Sequence, residues 1–89
     1  MKKEMMQLLN NAIATESVIC IGLVTMSSHN GAMINVIPED VDDNGDYIII
    51  HCREGIMVTV DTRQIVYNEV FDGYECGSND SGSILTIYF

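Results

Sequence analysis

The segment 38–52 constrains the fold more than any other. Five carboxylates, Glu39, Asp40, Asp42, Asp43 and Asp46, are followed at once by the apolar run Tyr47-Ile48-Ile49-Ile50 and then His51-Cys52. Tyr and Ile in sequence favour a pleated, buried strand. Asn44-Gly45 ahead of that run is a turn signal, because glycine takes positive φ without steric cost. A second Asn-Gly pair, Asn30-Gly31, separates two further apolar runs and reads as a hairpin turn. The expected order is a strand over 32–37, an acidic turn over 38–46, a strand over 47–52, a tight turn over 53–55 and a strand over 56–62. In that last strand Ile56, Val58 and Val60 alternate inward, and Met57, Thr59 and Asp61 alternate outward.

The flanking segments fit the same plan. In residues 2–14, Met5, Leu8, Leu9, Ala12 and Ile13 form one apolar stripe at helical spacing. A helix of that length is marginal alone and should pack on the sheet. Residues 17–26 form a strand with two apolar faces, as expected where both sides are covered, by the helix, by the rest of a barrel or by another subunit. Gly22 within it suggests a bend or a close backbone approach. A strand over 64–71, a polar loop over 72–83 holding Asp72, Glu75 and Asp80, and a last strand over 83–89 complete the chain. The last strand should be paired, either closing a barrel or adding to a neighbour's edge. The whole reads as a mainly β (α+β) single domain over 1–89: an N-terminal helix, then a five- to six-stranded, strongly bent antiparallel sheet or small barrel.

A helix followed by five strands resembles the order of the Sm-like fold over about residues 5–70. Asn30-Gly31-Ala32-Met33-Ile34-Asn35-Val36-Ile37 is similar to that family's first turn and bent second strand. Tyr47-Ile48-Ile49-Ile50 is similar to its third strand, and residues 55–61 with Ile65-Val66-Tyr67 to its fourth and fifth. The resemblance implies a ring-forming homo-oligomer. The family's RNA-contacting Arg-Gly or Lys-His pair is replaced here by Asp61-Thr62-Arg63-Gln64, so RNA binding does not carry over.

Charge narrows the function. Thirteen acids against four bases give a net charge of −9, and two of the bases are Lys2 and Lys3. Such a chain repels phosphate backbones, so no direct DNA binding is expected. No apolar run approaches membrane-spanning length, and no apolar core follows Lys2-Lys3 as a signal peptide would require. Cys20, Cys52 and Cys76 form no paired framework and read as reduced thiols in a cytoplasm.

Three kinds of site chemistry fail on inspection. Asp40 to Asp46 matches the first half of a calcium loop, with oxygens at positions 1, 3 and 5 and Gly45 at 6, but position 12 is His51 rather than a bidentate Glu. A solvated hairpin turn accounts for the same residues. Cys20, His51, Cys52 and Cys76 have zinc-binding chemistry without a Cys-x-x-Cys pair, and His51 and Cys52 point to opposite faces of a strand. Cys76 with His29 or His51 as a nucleophile pair rests on residue type alone. No catalytic residue, metal or cofactor is therefore expected.

What stands out is a carboxylate surface. Glu39, Asp40, Asp42, Asp43 and Asp46, extended by Asp72 and Glu75, could imitate a run of phosphates and dock on a basic partner protein. In size, charge and single-domain build the chain resembles small phage-encoded anti-defence proteins, anti-CRISPR proteins among them. The resemblance implies a non-enzymatic inhibitor that occupies a nucleic-acid-binding surface. The alternative is an Sm-like homo-oligomer binding a small ligand, nucleotide or RNA between subunits. The two apolar faces of the first strand favour oligomerisation in both cases.

Overall fold

The structure, a computed structural model, describes residues 1–25, 30–77 and 82–89. Helix α1 (Lys2–Ala14) is followed, among the described residues, by eight strands: β1 (Ile19–Thr25), β2 (Gly31–Val36), β3 (Pro38–Asp43), β4 (Tyr47–Cys52), β5 (Met57–Asp61), β6 (Ile65–Asn68), β7 (Gly73–Cys76) and β8 (Ser83–Tyr88). All pairings are antiparallel. The mainly β class with an N-terminal helix is therefore as expected. The strands form two sheets, one of five in the order β2-β1-β8-β7-β6 and one of three in the order β3-β4-β5. They do not close into a barrel.

The helix buries Met5, Leu9 and Ala12, one side of the expected stripe, while Leu8 stays exposed. It bridges the two sheets. Lys2 Nζ donates to Asp43 Oδ1 at the end of β3 (2.9 Å), and Met5 Sδ lies 3.8 Å from Cys76 Sγ on β7. The helix ends in a Schellman motif. Ser17 N donates to Ala12 O (2.9 Å) and Glu16 N to Ile13 O (3.3 Å), with Glu16 at φ 54 where glycine is usual.

Both sheets turn their apolar residues toward one core. Ile48, Ile50 and Cys52 of β4 alternate inward with Val58 and Val60 of β5. From the larger sheet, the register Ile34–Ile21–Ile87–Tyr74–Tyr67 runs across all five strands on the inward side. The next row, Met33–Gly22–Thr86–Glu75–Val66, faces outward. There the Tyr88 ring lies over two glycines. A Cβ on Gly22 would stand 3.6 Å from the ring, while one on Gly73 would stand 2.8 Å from it. Gly73, not Gly22, is the glycine that close approach requires.

Two strands occupy segments expected to be a turn and a loop. Residues 38–43 are β3, and the turn is reduced to three residues around Gly45 at φ 89. Carboxylates lower strand propensity, yet they are favoured on a sheet edge, where they oppose unwanted pairing. β3 is such an edge, and only Val41 in its middle turns toward the core. β2 and β3 are nearly continuous. The chain crosses from one sheet to the other at Ile37-Pro38, and a bulge at Glu39 completes the bend. Likewise, Gly73-Tyr74-Glu75-Cys76 within the expected loop is β7, with Tyr74 and Cys76 buried. Composition hid its two-residue alternation. The terminal strand is paired as expected, but it lies at the centre of its sheet, between β1 and β7, rather than closing a barrel or reaching a neighbour.

Candidate functional site

The acidic residues fall into two groups. Glu39, Asp40, Asp42 and Asp43 lie on β3, and Asp46 lies in the turn that follows. Asp72 and Glu75 belong to the larger sheet, in the β6–β7 turn and on β7. The structure thus gathers the first five along one edge and leaves the last two on another element. Asp72 accepts a hydrogen bond from the Tyr67 hydroxyl, which raises that phenol's pKa. Glu75 accepts one from Asn68 Nδ2 at 2.8 Å. Asp80 and His29 lie outside the described residues.

Pairing places Asp40 and Asp42 on a defined surface. Asp40 is opposite His51, which is opposite Met57; Asp42 is opposite Ile49, which is opposite Thr59; Tyr47 is opposite Asp61. These residues share the outer face of the three-stranded sheet, because directly paired side chains point the same way. Strands about 4.8 Å apart and same-face residues about 7 Å apart make this a patch on the order of 10 by 14 Å. Its middle is partly apolar. Tyr47 is 43% exposed and Met57 61%, with Ile49 half-buried between them. Carboxylates flank it on both sides.

The patch is held rigidly. His51 Nε2 and Asp42 Oδ2 are 2.8 Å apart, which ties β4 to the β3 edge. Asp43 Oδ1 accepts from Gly45 N (2.9 Å) as well as from Lys2, and Thr62 Oγ1 donates to Gly45 O (3.0 Å). At the far corner, Arg63 grips Asp61 through Nη2–Oδ2 at 2.6 Å and through its backbone N–H at 2.9 Å. That grip holds the Asp61 carboxyl down at about 2. Asn44, Asp46, Tyr47, Thr59, Asp61 and Arg63 line an open, shallow cleft of about 500 Å³ there. Tyr47, Met57, Thr59 and Asp61 were not in the acidic set read from sequence. The period-two alternation of β5 puts Met57, Thr59 and Asp61 on one face, but only the pairing of β4 with β3 and β5 joins them and Tyr47 to the acidic residues.

The segment from Asp40 to Asp46 is a strand and a turn, and its carboxylates do not converge. Among the described residues, no three His, Cys, Asp or Glu side chains are grouped so as to hold a metal ion. Cys52 and Cys76 are buried. Burial raises both thiols, Cys76 up to about 12, which keeps the nucleophilic thiolate scarce at neutral pH. No helix among the described residues is long and apolar enough to cross a membrane. Comparison with protein-family models, with curated proteins and with solved structures finds no match.

Proposed function

We propose that this chain is a non-enzymatic binding protein that docks on a basic protein surface through the outer face of its three-stranded sheet. The observation that carries the reading is that Asp40, Asp42 and Asp61 share one sheet face with the apolar residues Tyr47, Ile49 and Met57. Interfaces combine an apolar centre, often with Tyr or Met, and a polar rim. A guarded sheet edge would account for the carboxylates of β3, but not for a Tyr left exposed on the central strand and a Met left exposed on β5 of the same face. The net charge of −9 adds long-range attraction to a cationic surface. A surface that normally holds nucleic acid has the required charge, so the activity is inhibition by occupancy, as in the small anti-defence proteins the chain resembles. Its three free thiols suit a reducing cytoplasm.

The test is binding to an immobilised Arg-rich peptide at low and high salt. The doubly reversed variant Asp40→Lys/Asp42→Lys is compared with Asp72→Lys/Glu75→Lys. Both pairs change net charge equally, from −9 to −5. The reading expects salt-sensitive binding that the first pair abolishes and the second largely retains. Equal losses from both pairs would mean that total charge, not this face, drives binding.

A further inference from the structure

The four strand edges of the two sheets are not alike. β3 carries four carboxylates and a bulge. β5 ends in Asp61 with its Arg63 partner, and β6 is only four residues long. Those are the usual devices against edge pairing: charge, irregularity and shortness. β2 has none of them. Gly31-Ala32-Met33-Ile34-Asn35-Val36 holds no charge and no proline, lies at the edge of the larger sheet, and is exposed over its first five residues. Met33 is 66% exposed on the outer side and Ile34 45% on the inner.

We propose that β2 pairs antiparallel with β2 of a second copy of this chain, joining the two five-stranded sheets into one continuous sheet across a twofold axis. Two observations select a second copy as the occupant. The first is charge. No Asp, Glu, Lys or Arg occurs from Ser17 through Pro38, so β1 and β2 form a neutral surface on a molecule of net charge −9. A basic partner gains nothing there, whereas two acidic copies can approach each other there with least repulsion.

The second observation is geometry. An antiparallel seam centred near Met33 puts Ile37 of each copy, where the chain leaves this sheet, at opposite ends roughly 26 Å apart at about 3.3 Å per residue, with the first carboxylate, Glu39, beyond it. That is several times the screening length of about 8 Å at physiological salt. A twofold axis normal to the sheet also keeps each face on its own side, so Met33 meets its own kind outside and Ile34 meets Ala32 of the partner subunit inside. Area sets the strength of the pairing. Met33 and Ile34, the exposed apolar side chains of the edge strand itself, present apolar surface on the order of 200 Å² per copy. Even with the backbone edge added, the seam stays below the roughly 600 Å² per partner at which specific stable pairs begin. The dimer is therefore weak and reversible.

Molar mass by multi-angle light scattering, in reductant and over a concentration series, tests this. The chain is 9.9 kDa. The expected result is a rise toward twice that mass with concentration, stronger at high salt, because salt screens the repulsion between like-charged copies. Met33→Lys and, separately, Ala32→Lys should return the mass to the monomer, since both residues are exposed and neither is needed for the core. Val66→Lys, on the β6 edge, should leave the dimer intact, with unchanged circular dichroism confirming that all variants fold. A monomer at every concentration and salt would overturn the proposal. So would a dimer that survives both Met33→Lys and Ala32→Lys, or one that salt dissolves.

Discussion

Replacing Gly73 by alanine probes the outer face of the larger sheet at its tightest point. The added methyl would stand 2.8 and 2.9 Å from Tyr88 Cε1 and Cδ1, and 3.0 Å from Thr86 Cγ2. Carbon pairs prefer about 3.5–4.0 Å, so three contacts are short by half an ångström or more. The Tyr88 ring is half-buried and can tilt, but Thr86 is buried and cannot yield as far. Overpacking of this kind costs about 1–3 kcal/mol. For a domain of this size each kcal/mol lowers Tm by about 4–8 °C, so the expected drop is on the order of 10 °C. Gly22→Ala is the internal control. Its methyl would sit at 3.6 and 3.7 Å from Tyr88 and Met33, ordinary contact distances, and it removes freedom from the unfolded chain. It should leave stability unchanged or raise it by about 0.5 kcal/mol. Thermal melts by circular dichroism measure both. Adding Tyr88→Ala to Gly73→Ala should recover part of the loss, a coupling that a double-mutant cycle isolates. If Gly73→Ala melts with the wild type, or if Gly22→Ala is the more damaging of the two, the ring does not lie where it is described.

Other consequences can be checked separately. Glu16→Gly relieves a left-handed residue in the helix C-cap and loses an exposed ion pair to Arg53 (3.1 Å); the first effect, about 1 kcal/mol, exceeds the second, so chemical denaturation should show a modest gain in stability. Cys76 gives a pH dependence. Its thiol is near 9.0 in the unfolded chain and about 12 when buried, so above pH 9 the unfolded state loses a proton that the folded state keeps. The stability it contributes is complete below 9 and falls as pH rises toward 12, at up to about 1.4 kcal/mol per unit. Cys76→Ala should flatten that part of the stability–pH curve relative to wild type; parallel curves would contradict the burial assigned to it. Arg63→Gln should let the Asp61 carboxyl rise from about 2 toward its ordinary 3.8, read by its side-chain carbon shift on titration.

Much of the fold follows from local pattern. The helix stripe, the Tyr47–Cys52 strand, the alternation of β5 and the turn at Gly45 all come from spacing and turn chemistry that act within a few residues. Two strands did not. In β3 the carboxylates concealed a strand whose inward residues are Pro38 and Val41. In β7 two glycine-flanked inward residues, Tyr74 and Cys76, were masked by polar neighbours. Both are set by pairing with residues far along the chain, which composition does not encode. The division into two sheets has the same origin, since β8 inserts between β1 and β7 only after the whole chain is present. The acidic residues of the docking face were legible as a cluster. Their partners on that face were not, because Tyr47, Met57 and Asp61 join Asp40 and Asp42 only through the β3-β4-β5 register.

The most direct test of the docking face is amide chemical-shift mapping in the full chain, titrated with a short Arg-rich peptide. The largest shifts should fall on Asp40, Asp42, Tyr47, Ile49, Met57 and Asp61, and should shrink together as salt is raised. Shifts concentrated on β2, or spread evenly over every carboxylate from Glu4 to Glu75, would contradict the account.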